Sequence, residues 1–238
     1  MKIRAAVLEE FGQPLAVQEV DLAEPSTGEV LVRLVACGLS TGLGAAMNTA
    51  KVEPGSTCVV FGAGMVGLGA VAGCRLQGAD RIICVDMSES RLELARGQGA
   101  TETMVGGDDA VERIVEMTGG FGADYTFEAT GNVGVMRQAV ESARMGWGLC
   151  TVAGVAGKGE TLNVIPRFLI TGRRIAGSSF GGVKGREGVP RLVDLWLEGK
   201  IDVDPFISHH ITLDEVNHGF ELMEAQDGIR SVIGFGQP

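Results

Sequence analysis

The stretch "VVFGAGMVG", Val59–Gly67, decides the fold. Read back to Thr57 it is "TCVVFG", an apolar run suited to a strand buried on both faces. It stops in three glycines, Gly62, Gly64 and Gly67, spaced G-x-G-x-x-G. The following "MVGLGAVAGCRLQG" then sets small and apolar residues at helical spacing as far as Gly78. The next strand, "RIICVD" (81–86), ends on Asp86. Three spaced glycines alone are a weak signal; strand, glycine turn, helix, strand and a terminal acidic residue together are what binding of a dinucleotide requires. Gly62 permits the tight turn, Gly64 lets main chain approach a pyrophosphate, and Gly67 lets the helix pack closely on the sheet. The helix N-terminus adds unpaired N–H groups and the positive end of its dipole. The plainer alternative is a glycine-rich turn that holds nothing.

Asp86 sets the cofactor preference. Its carboxylate can accept from a ribose hydroxyl and would repel a 2′-phosphate, so NAD is expected rather than NADP. Arg91, one turn into the next helix, either faces that ribose or is a solvent-facing helix residue.

Outward from this unit the β-α alternation repeats. Helix "SESRLELARGQG", with Ser88 as its expected N-cap, is followed by strand "TETMV", helix "DDAVERIVEMTGG", strand "ADYTFEAT" and helix "NVGVMRQAVESARMG". Strands "GLCTVAGV" and "RRIAGSSF" come next. Apolar strands alternating with helices predict a parallel sheet covered on both faces. Residues 1–36 read differently: "KIRAAVL", "LAVQEV" and "EVLVRLVA", broken by Pro and Gly, suggest a small antiparallel unit. The end of the chain, from "VPRLVDLWLEGK" to "IRSVIGF", reads helix, strand, helix, strand.

Composition narrows the partners. The formal charge of −10 over 238 residues opposes nucleic acid or an anionic membrane surface as partner. No apolar run approaches membrane-spanning length. The opening "MKIRAAVLEEFG" lacks the apolar core of a signal peptide. Five cysteines without C-x-x-C spacing fit a reducing, cytoplasmic setting.

Several longer stretches resemble a known family. "CGLSTGLGAAMNTAKVEPGSTCVVFGAGMVGLGAV", "RIICVDMSESRLELARGQGATE", "GADYTFEATGNVGVMRQAVESA", "GSSFGGVKG" and "GFELMEAQDGIRSVI" are similar to the zinc-type medium-chain alcohol dehydrogenases. Within that family they look most like class III, the S-(hydroxymethyl)glutathione (formaldehyde) dehydrogenases. The resemblance implies NAD as cofactor, with the phosphate turn at Gly62, Gly64, Met65, Val66 and Gly67. It puts the adenosine ribose at Asp86 and Arg91, and adds Thr130 to the cofactor contacts. It further implies that Val66 and Thr41 lie beside the nicotinamide, Thr41 being the one candidate catalytic residue. Main-chain groups at Ala153, Ser178 and Phe180 would hold the carboxamide, and Arg230 would reach the pyrophosphate. Homodimers would form by pairing of the "RRIAGSSF" edge strand with its twin.

The same resemblance exposes a gap. After "EVLVRLVACGLS" the family continues into the segments bearing most catalytic-zinc ligands and a structural-zinc lobe, whereas this chain passes straight into its "STG" motif. Cys37 aligns with the one surviving zinc ligand. A catalytic zinc needs three protein ligands and an open position. Of the three histidines, His209 and His210 are strand neighbours pointing to opposite faces. Zinc is therefore expected to be absent here, and Cys37 is expected to be a small buried residue at a strand end. Tyr125 has Ala129 where a short-chain dehydrogenase would carry lysine, which excludes that chemistry.

The expected fold is α/β: a doubly wound parallel Rossmann sheet with a small, truncated β-rich remnant of a GroES-like catalytic domain. Residues 1–40 would form the N-terminal remnant, 41–180 the NAD-binding domain, and 181–238 a segment returning to the remnant. The expected function is NAD(H) binding within a family that oxidises an alcohol or an S-(hydroxymethyl)thiol. The alternatives are a non-catalytic, dimerising NAD-binding module and a zinc-independent oxidoreductase of the quinone-reductase type.

Overall fold

A computed structural model describes residues 2–21 and 37–234, apart from the side chain of Arg186. The chain divides into a larger compact unit, Ala36–Asp202, and a smaller one drawn from Met1–Val35 and Val203–Pro238.

The larger unit is a six-stranded, wholly parallel sheet. In chain order it contains α1 (Cys37–Gly44), a π-helical segment (Ala45–Ala50), β3 (Thr57–Phe61), α2 (Met65–Leu76), β4 (Arg81–Asp86) and α3 (Glu89–Gln98). These are followed by β5 (Glu102–Val105), α4 (Ala110–Met117), β6 (Tyr125–Glu128), α5 (Val133–Ser142), β7 (Leu149–Val152), α6 (Pro166–Ile170), β8 (Arg174–Gly177) and α7 (Gly185–Leu197). The spatial order β5-β4-β3-β6-β7-β8 is that of a doubly wound Rossmann sheet. Chain order reverses between β3 and β6, which opens a crevice at the C-terminal ends of those two strands.

Burial explains why these runs become strands. Cys58, Val59 and Val60 are all solvent-free, so both faces of β3 are covered, as an uninterrupted apolar run requires. On one face, Val59, Phe61, Ile83 and Val85 pack with Ile114 of α4 and Val140 of α5. The other face is covered by α2 and α3. Fully burying each such side chain contributes roughly 1.5–3 kcal/mol, which outweighs the short length of β5, β6 and β7.

One local expectation needs correction. Cys37 is not a buried residue at a strand end; it is exposed and begins α1. The segment "CGLSTGLGAAMNTA" has too many glycines to look helical by propensity. It is helical because those glycines let two helices touch backbone to backbone. A Cβ on Gly42 would lie 2.7 Å from the Ala70 nitrogen, and on the facing helix one on Gly73 would lie 3.1 Å from the Leu43 carbonyl oxygen. Ser88 does sit at the N-cap of α3, but its side chain makes no capping bond and instead pairs with the Ser90 hydroxyl at 2.8 Å.

In the smaller unit, β1 (Lys2–Val7) pairs antiparallel with β2 (Ala16–Asp21). Strand β9 (His209–Ile211) pairs in parallel with β10 (Ser231–Ile233), and α8 spans Val216–Glu224. The Asn217 side chain clamps Leu15 reciprocally, accepting from its N–H and donating to its carbonyl, both at 2.9 Å. The expected strand "EVLVRLVA" (29–36) lies outside the described residues. Among the described residues, no helix is long and apolar enough to cross a membrane.

Candidate functional site

The three glycines of the opening motif are not equivalent. Gly62 has φ +95°, a conformation that disfavours any side chain, and its N–H donates to the Val85 carbonyl at 2.7 Å. A Cβ on Gly67 would lie 2.7 Å from the Gly62 carbonyl carbon and closer still to its oxygen, so the helix rests directly on the turn. Gly64 differs from both. Its φ of −80° suits any residue, and a Cβ there would meet nothing within 4 Å. The fold therefore demands glycine at 62 and 67, and leaves open space above Gly64. Helix α2 begins at Met65, and the amides of a helix's first turn have no acceptor within the helix.

Asp86, at the end of β4, faces this turn. One carboxylate oxygen accepts from the Ala63 N–H at 2.6 Å and the other from the Ser88 N–H at 2.9 Å. An ionised carboxylate offers about four lone-pair sites, so two protein donors leave capacity for two more. Asp86 thus braces the glycine turn and still presents acceptors. Arg91 is half-buried in the first turn of α3.

Across the crevice, β6 ends on Glu128, which the sequence reading missed. It is fully buried, and one carboxylate oxygen accepts from the Thr130 N–H (2.7 Å), the Thr130 hydroxyl (2.5 Å) and the Gly131 N–H (2.9 Å). Its own carbonyl accepts from Ala153 and Gly154 at 2.9 and 3.0 Å. One residue therefore ties together the loops after β6 and β7. The available signal was an acidic residue ending an otherwise core-facing strand, since an unpaired buried carboxylate is too costly to occur without such partners. Thr130 borders the glycine turn: a Cβ on Gly62 would lie 2.9 Å from its methyl.

The expected site residues of the larger unit fall into one pattern. Gly62 and Gly64 follow β3, Asp86 ends β4, Thr130 follows β6, Ala153 follows β7, and Ser178 and Phe180 follow β8. All lie at C-terminal strand ends, where open α/β sheets bind ligands. Met65, Val66 and Gly67 form the first turn of α2. Thr41 sits in α1 with its hydroxyl donating to the Cys37 carbonyl at 2.9 Å, and α1 is packed against α2. Arg230 belongs to the smaller unit, where it is exposed and precedes β10.

The cysteine chemistry is largely closed. Burial pushes the thiols of Cys84 and Cys150 up to about 12, and raises that of Cys74 well above its ordinary value. Among the described residues, no group of three or more His, Cys, Asp or Glu side chains could hold a metal ion. The donor set that a catalytic zinc needs is thus not assembled there.

A family model described as zinc-binding dehydrogenase matches residues 65–198. The chain is 47% identical over 94% of its length to alcohol dehydrogenase class-3 of Myxine glutinosa, covering 60% of that protein. It is 44% identical, again over 94% of its length, to S-(hydroxymethyl)glutathione dehydrogenase of Escherichia coli O1:K1 / APEC, covering 62%. Among solved structures, benzyl alcohol dehydrogenase from Acinetobacter calcoaceticus superposes with a TM-score of 0.79 at 33% identity, over 84% of this chain and 55% of that one. The chain therefore spans about 60% of the length of the curated relatives it matches.

Proposed function

Because this chain belongs to the zinc-binding dehydrogenase family, we propose that it binds NAD(H) across the crevice between β3 and β6. The observation that carries this reading is Gly64: its backbone needs no glycine, no protein atom crowds it, and open space lies in front of it. A residue kept small for its own fold would look like Gly67. Gly64 combines that open space with its place at the N-cap of α2, at the C-terminal end of β3.

The residues fit a dinucleotide. The first-turn amides of α2 would face the pyrophosphate, with Gly64 allowing its approach. The spare acceptors of Asp86 would take the adenosine ribose hydroxyls and disfavour a 2′-phosphate, and Arg91 would flank that ribose. Glu128 would hold Thr130 and the Ala153 backbone in place, and main-chain groups at Ala153, Ser178 and Phe180 would meet the carboxamide. Val66 and Thr41 would stand beside the nicotinamide. NAD, when bound, supplies a hydride acceptor. The reaction class we propose is that of the family, oxidation of an alcohol or S-(hydroxymethyl)thiol. The described residues do not assemble a set of zinc ligands. A second reading is that the chain holds the cofactor without turning over an alcohol. We further propose a homodimer formed along β8, an edge strand whose Ile175 is 38% exposed.

Titration with NADH, followed by its fluorescence, tests the binding. The native chain should bind NADH in preference to NADPH. Asp86→Ala should lose affinity for NADH and most of that preference. An Asp86→Ala variant that binds both cofactors as the native chain does would remove the support for this reading. Alcohol-dependent NADH formation, measured with zinc content, separates the catalytic from the non-catalytic form.

A further inference from the structure

The turn after β8 carries the most unusual backbone of the larger unit. Phe180, Gly181 and Gly182 adopt φ values of +50°, +65° and +62° in succession. For the two glycines this is cheap; for an aromatic residue it is strained and persists only where surrounding structure imposes it. Its packing against α1 imposes it. Gly181 is pressed onto α1 so closely that a Cβ would lie 2.6 Å from the Ser40 carbonyl oxygen and 2.8 Å from that of Thr41. Gly44 reciprocates, since its Cβ would meet the Gly181 carbonyl carbon at 2.8 Å.

Two side chains complete the hold. The Asn48 amide donates to the Gly181 carbonyl at 3.1 Å, and the Thr49 hydroxyl pairs with the Ser178 hydroxyl at 2.8 Å. Ser178 is only 7% exposed, so that pairing has little competition from water. Both come from the π-helical segment Ala45–Ala50, and π turns recur at functional positions. Neither residue belongs to the glycine motif or to the strand ends. Both act on the stretch whose main chain the reading above assigns to the nicotinamide carboxamide.

We infer that Asn48 and Thr49 are positioning residues: they hold Ser178 and the left-handed turn Phe180–Gly182 in place and so orient the Ser178 and Phe180 main chain toward the nicotinamide end of the dinucleotide. The inference rests on the NAD(H)-binding reading and assigns roles to two residues outside it. It separates the two halves of the ligand, because the adenosine half is held by Asp86 and the α2 N-terminus, which these residues do not touch.

The test measures affinities of the full chain for NADH and for ADP-ribose, which lacks the nicotinamide. Asn48→Ala and Thr49→Val should each weaken NADH binding by roughly threefold to tenfold, the scale of one lost hydrogen bond, while ADP-ribose stays within about twofold. Thr49→Ser keeps the hydroxyl and should restore NADH affinity. Equal losses for both ligands would mean general damage to the fold and overturn the inference, as would unchanged NADH binding in both variants. A native chain that takes up neither ligand would overturn the dinucleotide reading itself, and this inference with it.

Discussion

Alanine replacement of Gly62, Gly64 and Gly67, one at a time, should give three different outcomes, because the structure places three different things where each Cβ would go. At Gly67 the new methyl would enter the Gly62 carbonyl group, backbone against backbone, so neither partner can rotate away. Helix α2 would have to lift off the turn, at a cost of about 3 kcal/mol or more. For a chain of this size that is a fall in melting temperature of roughly 6–12 °C, at about 2–4 °C per kcal/mol. At Gly62 the cost comes from φ +95° and from the Thr130 methyl 2.9 Å away, whose rotation would break the hydroxyl's bond to Glu128; roughly 1–3 kcal/mol is expected. At Gly64 a methyl meets nothing within 4 Å. The reduced entropy of the unfolded chain favours alanine by about 0.4–1 kcal/mol, and its poor N-cap character opposes it by about as much. Stability should therefore stay within about 1 kcal/mol of the native chain, while NADH affinity falls about tenfold or more as the methyl occupies the phosphate approach. Differential scanning calorimetry and NADH fluorescence titration read the two quantities on the same samples. Gly64→Ala melting as early as Gly67→Ala, or binding NADH like the native chain, would refute the reasoning.

Other predictions concern parts of the molecule away from that turn. Burial raises the carboxyl of Asp124, but the Thr57 amide, the Trp147 indole and the Arg144 guanidinium together hold it below its ordinary range. A depressed native pKa contributes stability that is present above the unfolded value and lost as pH falls through the native one. Urea denaturation from pH 6 down into the acid range below the ordinary carboxylate value should show a loss that Asp124→Asn largely lacks; parallel curves for the two would sink the assignment. Cys37 is exposed and the other four cysteines are buried. A thiol reagent should therefore modify one cysteine quickly in the native protein, none in Cys37→Ser, and the remainder only on unfolding. Ile175→Lys on the β8 edge should shift sedimentation from dimer toward monomer, and an unchanged profile would relocate the interface.

The amino-acid pattern alone sets the layer architecture and the order of its elements. Apolar runs such as "TCVVFG" and "RIICVD" can be satisfied only by strands covered on both faces, and the interposed helices supply the cover. It also located the candidate site, because Gly62, Gly64, Gly67 and Asp86 sit at fixed offsets from strand ends and such ends gather at one edge of a doubly wound sheet. What it left open depends on contacts between segments distant along the chain. Glycine in α1 reads as a helix breaker until α2 is present to receive the close approach of Gly42. Glu128 reads as one more charge until the loops after β6 and β7 are folded over its carboxylate and carbonyl. Asn48 and Thr49 find their partners 133 and 129 residues away. The three motif glycines are identical letters, and only the atoms packed around them decide that two serve the fold while the third faces open space. Periodicity and spacing are local properties that a sequence carries; which atoms crowd a given Cβ is a property of the folded chain alone.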